Sequence, residues 1–326
     1  MRRRDLILSS LAAVLAAKGG HAQPVKTLRI GIINGLAADD PEAAPRIAAF
    51  AQSLESFGWK VGRDVQIEPR WSGGSMELLR AHAAELVALA PDVIVSVSDP
   101  ALAELRRLTR TIPVIFLIVA DPVGNGFVQS LARPGGNLTG FSNAEPALAG
   151  KWIELLREIA PAVRRLNVLL HPDSVSTVSF GRAIATAAAA VGLPIRRVEI
   201  RARDDIDPAL RDSAGADAGI VVLPSIVTSS NGSLIAARAA MLNMPAIYPF
   251  TGHVAQGGLI SYGINITEVW RQTPWYVDRI LRGAEPGELP VQQPTSFELA
   301  VNLNTARALG LAVPGGLLSR ADRVIE

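Results

Sequence analysis

No cysteine occurs among the 326 residues. That absence excludes disulfides, a thiolate zinc site, an iron–sulfur cluster, a cysteine nucleophile and a lipobox for lipid attachment. Aromatic residues make up only 5% and charged ones 19%, against 49% apolar residues, the composition of globular domains rather than of disordered or collagen-like chains. So few aromatics argue against a sugar platform, because saccharides stack on Trp and Tyr. Catalytic signatures are missing as well: there is no GxSxG, HExxH, GxxxxGK[ST] or post-strand GxGxxG,. Gly150-Lys151 has neither the upstream glycine nor the following hydroxyl of a phosphate loop. A chain of this length, at about 150 residues per domain, predicts about two domains, each able to bury a core of its own.

The net charge of +2 is concentrated at the start, where Arg2, Arg3, Arg4 and Lys18 against Asp5 give +3 and leave −1 for everything after residue 22. A near-neutral body carries no footprint for nucleic acid. Residues 1–22 have a basic start, an apolar LILSSLAAVLAA stretch and small residues ending at Gly20-His21-Ala22, which is the pattern of a cleavable secretory signal. Gly20 and Ala22 fit the −3 and −1 positions of a cleavage site, giving a mature start near Gln23. Arg3-Arg4 fits a twin-arginine signal about as well as a general secretory one. No later apolar run approaches the roughly 20 residues that span a bilayer. The expected location is the periplasm, without a lipid anchor.

From Leu28 onward, short apolar runs alternate with helical patterns, the signature of parallel α/β architecture,. Strands are expected at 28–33, 64–70, 92–98 and 113–120, with helices at 45–57, 76–89 and just after 100. After a glycine-rich passage a second series follows: a helix at 147–160, the strand RRLNVLL, an alanine-rich helix ending at Gly192, strands PIRRVEI, AGIVVL and PAIYPF, and helices near 205–213 and 232–241. Residues 268–282 read as a helix with Pro274 in or near its first turn, and 297–303 as a last strand,. Two such series predict two doubly wound, Rossmann-like α/β lobes facing each other, with a ligand cleft at the carboxyl ends of their strands.

Those strand ends carry small polar groups rather than a nucleophile with its base: Asn34-Gly35, Ser98-Asp99, Asp121, Phe141-Ser142, Asp173-Ser174 and Ser225. Hydroxyls and helix N-terminal N–H groups suit a carboxylate, and an aspartate suits an ammonium. Each hydroxyl reads equally well as a helix cap. Such a set binds a small acid or zwitterion without converting it, so no enzyme activity, cofactor or metal is expected. Of the four histidines, His82 beside Glu85 reads as a solvated helix face, and His171 as a loop residue or one facing the cleft. The acidic run Asp39-Asp40-Pro41-Glu42 reads as a loop entering a helix, where negative charge offsets the helix dipole,.

The wording DVIVSVSDPALAEL, TIPVIFLIVADPVGNGFVQSLARPGGNLTGFSN, GKWIELLREIAP, PAIYPFTGHVAQGGLISYGINI and LPVQQPTSFELAVNLNTARALGL resembles the ABC-transporter substrate-binding proteins of the tryptophan/tyrosine-binding-like group. The resemblance implies a class I periplasmic-binding-protein fold, with lobe I at 23–141 plus 260–287 and lobe II at 142–259 plus 288–326. It places crossings at 139–143 and 259–263, and ligand contacts at Asn34, Gly35, Ser98, Asp99, Asp121, Phe141, Ser142, Ser225 and Tyr248. It also implies a protein that hands a small molecule to an ABC permease and its ATPase; the expected ligand is an amino acid, aromatic amino acid or related carboxylate, and the expected state is a monomer. Many members have a Gly-Thr-Pro or Gly-Ser-Pro turn where this chain has Ser98-Asp99-Pro100. A periplasmic sensor docking on a receptor, or an α/β enzyme, are the alternative readings.

Overall fold

The computed structural model describes residues 27–143 and 145–326; the expected signal segment lies outside them. Strands β1 (Leu28–Asn34), β2 (Val65–Trp71), β3 (Val93–Val97), β4 (Val114–Ala120) and β5 (Leu138–Asn143) form one parallel sheet in the order 2-1-3-4-5. Helices α1 (Ala43–Ser56), α2 (Met76–Ala88) and α3 (Asp99–Leu108) connect its first four strands. Fully buried Ile30, Ile32, Val93, Val95 and Ile115 show why these strands read as continuous apolar runs: both faces of a parallel sheet are covered,.

The second sheet repeats that plan. After α4 (Glu145–Ile159) come β6 (Arg165–Leu170), α5 (Val175–Ala190), β7 (Ile195–Glu199), α6 (Ile206–Ser213) and β8 (Ala218–Val222). They are followed by α7 (Ile226–Ser230), α8 (Gly232–Met241), β9 (Ala246–Tyr248), α9 (Thr251–Ala255) and β10 (Ile260–Ile264). The strand order 7-6-8-9-10 copies 2-1-3-4-5. β11 (Phe297–Asn302) then joins antiparallel to β10, and β12 (Arg323–Ile325) adds parallel to β11 after α11 (Leu303–Ala308) and α12 (Gly315–Leu318). The structure is therefore a pair of doubly wound α/β lobes.

Helix α10 (Ile266–Leu281) returns to the first lobe, packing on α1 with Trp270 edge-on to Phe50 at 6.1 Å. Pro274 lies deep in this helix, not in its first turn. The helix starts earlier than its apolar pattern indicates because Asn265 caps it, its Oδ1 accepting from Glu268 N at 2.8 Å,. Residues 260–264, expected in lobe I, hydrogen-bond into the second sheet, whereas 291–292, expected in lobe II, run along the first lobe, with Gln292 N donating to Gly140 O and Ser142 N to Gln292 O. The chain thus passes from the first lobe after Asn143 and crosses again at 264–266 and 292–297, and residues 139–143 and 259–263 lie mostly within β5 and β10. Asn265 also donates through Nδ2 to Glu298, tying the second crossing to the start of β11.

Candidate cleft between the lobes

In a sheet of this order, the loops after β1 and β3 leave in opposite directions and open a crevice at their carboxyl ends. Both lobes present that crevice to each other. A cleft of about 720 Å3 lies there, walled by Asn34, Gly35 and Ser98 from lobe I and by His171, Pro224 and Ser225 from the matching β6 and β8 ends of lobe II. Its volume suits a small molecule. The lobes already touch across it: Ser230 Oγ donates to Gly35 O at 3.2 Å, and the position a Cβ would take on Gly35 is 3.2 Å from Ile226 Cγ1. The structure is a closed arrangement.

Local backbone geometry shapes the floor. Ser98 (φ 95°) and Ile118 (φ 58°) both line the cleft from the left-handed region, costly for a serine and more so for a β-branched residue. Ile118 sits where the β4–β5 register slips between Phe116 and Val119, a bulge that re-aims its side chain,. The Ser98 hydroxyl, at the head of α3, makes no capping bond and has no hydrogen-bond partner among the described residues. Asn34 accepts from Leu36 N at 3.1 Å through Oδ1, while its buried Nδ2 has no acceptor among the described residues. Asp99 is held by Ala120 N at 3.1 Å.

Six of the ten expected contact residues come together: Asn34, Gly35, Ser98, Asp99, Asp173 and Ser225 all line the cleft. Asp173 pairs with Arg201 at 3.3 Å, and Ser225 caps α7, accepting from Thr228 N at 3.1 Å. The other four lie elsewhere. Asp121 (φ 37°) is exposed and closes its own turn by accepting from Gly124 N at 2.8 Å. Phe141 is buried edge-on to Tyr276 at 5.4 Å, and Ser142 is buried where Gln292 runs along β5. Tyr248 is buried in lobe II with its ring stacked on His253 at 5.4 Å, and burial raises its pKa above the ordinary phenol value. The aromatic faces of the cleft come instead from Phe127 and Phe250.

The sequence reading missed a charged wall. Asp40, Glu42 and Arg46, from the α1 entry and its first turns, line the cleft facing Gly252 and His253 of lobe II. Arg46 is only 8% exposed, with Glu42 Oε2 at 3.5 Å. Burial lowers the pKa of its guanidinium, an effect partly offset by Glu42 and Asp40. His253 stacks between Tyr248 and Phe250, and burial pushes its pKa down to about 4, so the ring is neutral at pH 7. A signal for Arg46 did exist: it falls in phase with buried Ala43, Ala49, Phe50 and Leu54, a charge on the core-facing stripe of a helix,.

Residues 35–325 match the family described as ABC transporter substrate binding protein. The chain belongs to that family. It is 24% identical over 262 residues to the tyrosine-binding protein of Clostridioides difficile strain R20291, covering 80% of this chain and 75% of that one. Among solved structures, an ABC domain from Streptococcus pneumonia in complex with L-Trp superposes with a TM-score of 0.84 at 24% identity, over 92% of this chain and all of that one. The open, ligand-free structure of a substrate-binding protein from Clostridium difficile gives 0.65 at 23% identity, over 91% of this chain and 99% of that one. The likeness to these solved structures extends over the whole two-lobed α/β fold. No helix among the described residues is long and apolar enough to cross a membrane.

Proposed function

We propose that this protein is the extracytoplasmic solute-binding component of an ABC importer, and that it closes on an amino acid with an apolar or aromatic side chain. The observation that carries this reading is a cleft of small-molecule size formed at the same switch point in both lobes, with the lobes in contact across it. Further support comes from the better superposition on the L-Trp complex than on the open, ligand-free relative at nearly equal identity. Ile118, Phe127, Ile226 and Phe250 supply apolar walls for a side group; Asn34 Nδ2 and the Ser98 hydroxyl supply polar atoms for a head group. Three crossings act as the hinge, and a ligand touching both lobes shifts the population toward the closed form. The closed monomer then docks on a membrane permease whose paired ATPase provides the energy.

A thermal-shift screen of the protein, refolded to strip carried ligand, tests the reading against the amino acids, aromatic carboxylates and short-chain acids. A ligand at about a thousand times its dissociation constant adds roughly 4 kcal/mol, a shift of several degrees. The expected result is such a shift for one class of compound, with the compound recovered unchanged by mass spectrometry. Turnover of the compound would contradict a binding role.

A further inference from the structure

Arg46 is the least satisfied charge in the cleft. It is nine-tenths buried, its Nε meets no acceptor among the described residues, and Glu42 at 3.5 Å is its one ion-pair partner there. A buried guanidinium has five N–H donors to satisfy, and leaving them without partners is costly. Among the described residues lobe II adds no ion-pair partner for Arg46: His253, packed opposite, is held neutral by burial and lies near Arg46 without balancing its charge. The remaining charges on this wall are Asp40, whose Oδ1 accepts from Glu42 N at 2.8 Å, and Glu42 itself, so the wall carries two carboxylates around one cation. A bare anion would meet that excess negative charge unfavourably, whereas a zwitterion places one charge of each sign against it.

We propose that Arg46 is the carboxylate anchor of this cleft and that Glu42, beside it, takes the ligand's ammonium, so that the α1 wall selects α-amino acids. The proposal rests on the reading of the cleft as a small-ligand site. It explains why a charged side chain occupies the apolar stripe of α1, where a methionine would pack without desolvating a cation.

Calorimetric titration of the wild type, Arg46→Met, Arg46→Lys and Glu42→Gln tests it, using the amino acids, tyramine and 3-(4-hydroxyphenyl)propanoate as probes. Arg46→Met is expected to weaken every carboxylate bound by the wild type at least tenfold, while the thermal midpoint of the empty protein stays level or rises. Arg46→Lys should recover part of that loss, because it keeps the charge without the bidentate fork. Glu42→Gln should weaken the amino acid more than the propanoate. Equal affinity in Arg46→Met would overturn the anchor while leaving the amino-acid reading intact. Tyramine bound as tightly as tyrosine, or a wild type that binds no carboxylate at all, would also overturn it. Arg46-dependent binding of the propanoate without any amino acid would refute the role of Glu42 and the amino-acid reading, and leave the carboxylate anchor standing.

Discussion

Gly35 offers a way to obstruct lobe closure without touching either lobe's core. The three nearest atoms to an added Cβ are all from Ile226 of the opposite lobe, at 3.2, 3.6 and 3.8 Å. No left-handed φ protects this glycine, so a side chain is strained only by that neighbour. Crowding of this kind costs about 1 kcal/mol for one methyl and about 1–3 kcal/mol for a branched group. Because the contact exists only when the lobes are together, the whole cost falls on the closed form. Gly35→Ala should therefore raise the ligand dissociation constant about 5-fold and Gly35→Val about 5- to 150-fold, at 1.4 kcal/mol per factor of ten. Gly31→Ala is the matched control: its methyl would lie 3.2 Å from Leu86 Cδ2 and 3.4 Å from Ile94 Cγ1, both within lobe I. Titration calorimetry paired with thermal melts separates the two cases. Gly31→Ala should lower the melting point and leave affinity alone, and Gly35→Val should do the reverse. Unchanged affinity in Gly35→Val would refute the view that this contact belongs to the ligand-bound state.

Other expectations follow from buried groups. Tyr276 donates its hydroxyl toward Pro290 O at 2.6 Å and lies 3.1 Å from Gly140 O; Tyr276→Phe leaves both carbonyls without that donor and should cost about 1–2 kcal/mol in urea unfolding. Trp152 is fully buried and donates to Tyr262 O at 2.6 Å, so Trp152→Ala should cost about 3–5 kcal/mol in the same assay. His253 has a folded pKa of about 4 against an unfolded value near 6.5. The unfolded chain therefore binds the extra proton first, and stability is lost as pH falls from about 6.5 to about 4, then levels off. His253→Phe should flatten that part of the stability profile; an unaltered slope would place the proton uptake elsewhere.

The alternation of apolar runs and helical patterns was enough to read the two strand–helix series, because buried parallel strands leave little choice of residue. Short elements escaped. Helices α7 and α9, five residues each, complete barely more than one turn, and three-residue β12 is mostly exposed, so none shows a period. The cleft is legible where a loop follows a strand end, as at Asn34, Ser98, Asp173 and Ser225. Phe141, Ser142 and Tyr248 occupy similar positions in sequence, but their burial is set by segments remote in the chain: α10 with residue 292 for the first two, and the lobe II core around Leu169 and Val198 for the third. Asp40 and Glu42 were hidden by a sufficient local explanation, since acidic residues ahead of a helix need no other reason. Arg46 was visible only by its phase on α1.

Under the proposed function, one small α-amino acid draws the two lobes together in the cleft. Titrating L-tyrosine and L-tryptophan into the protein while following its radius of gyration by small-angle X-ray scattering tests that most directly. The expected result is saturable contraction at one ligand per chain, with the ligand recovered unchanged. A radius that does not respond to any amino acid, or contraction accompanied by chemical conversion of the ligand, would contradict it.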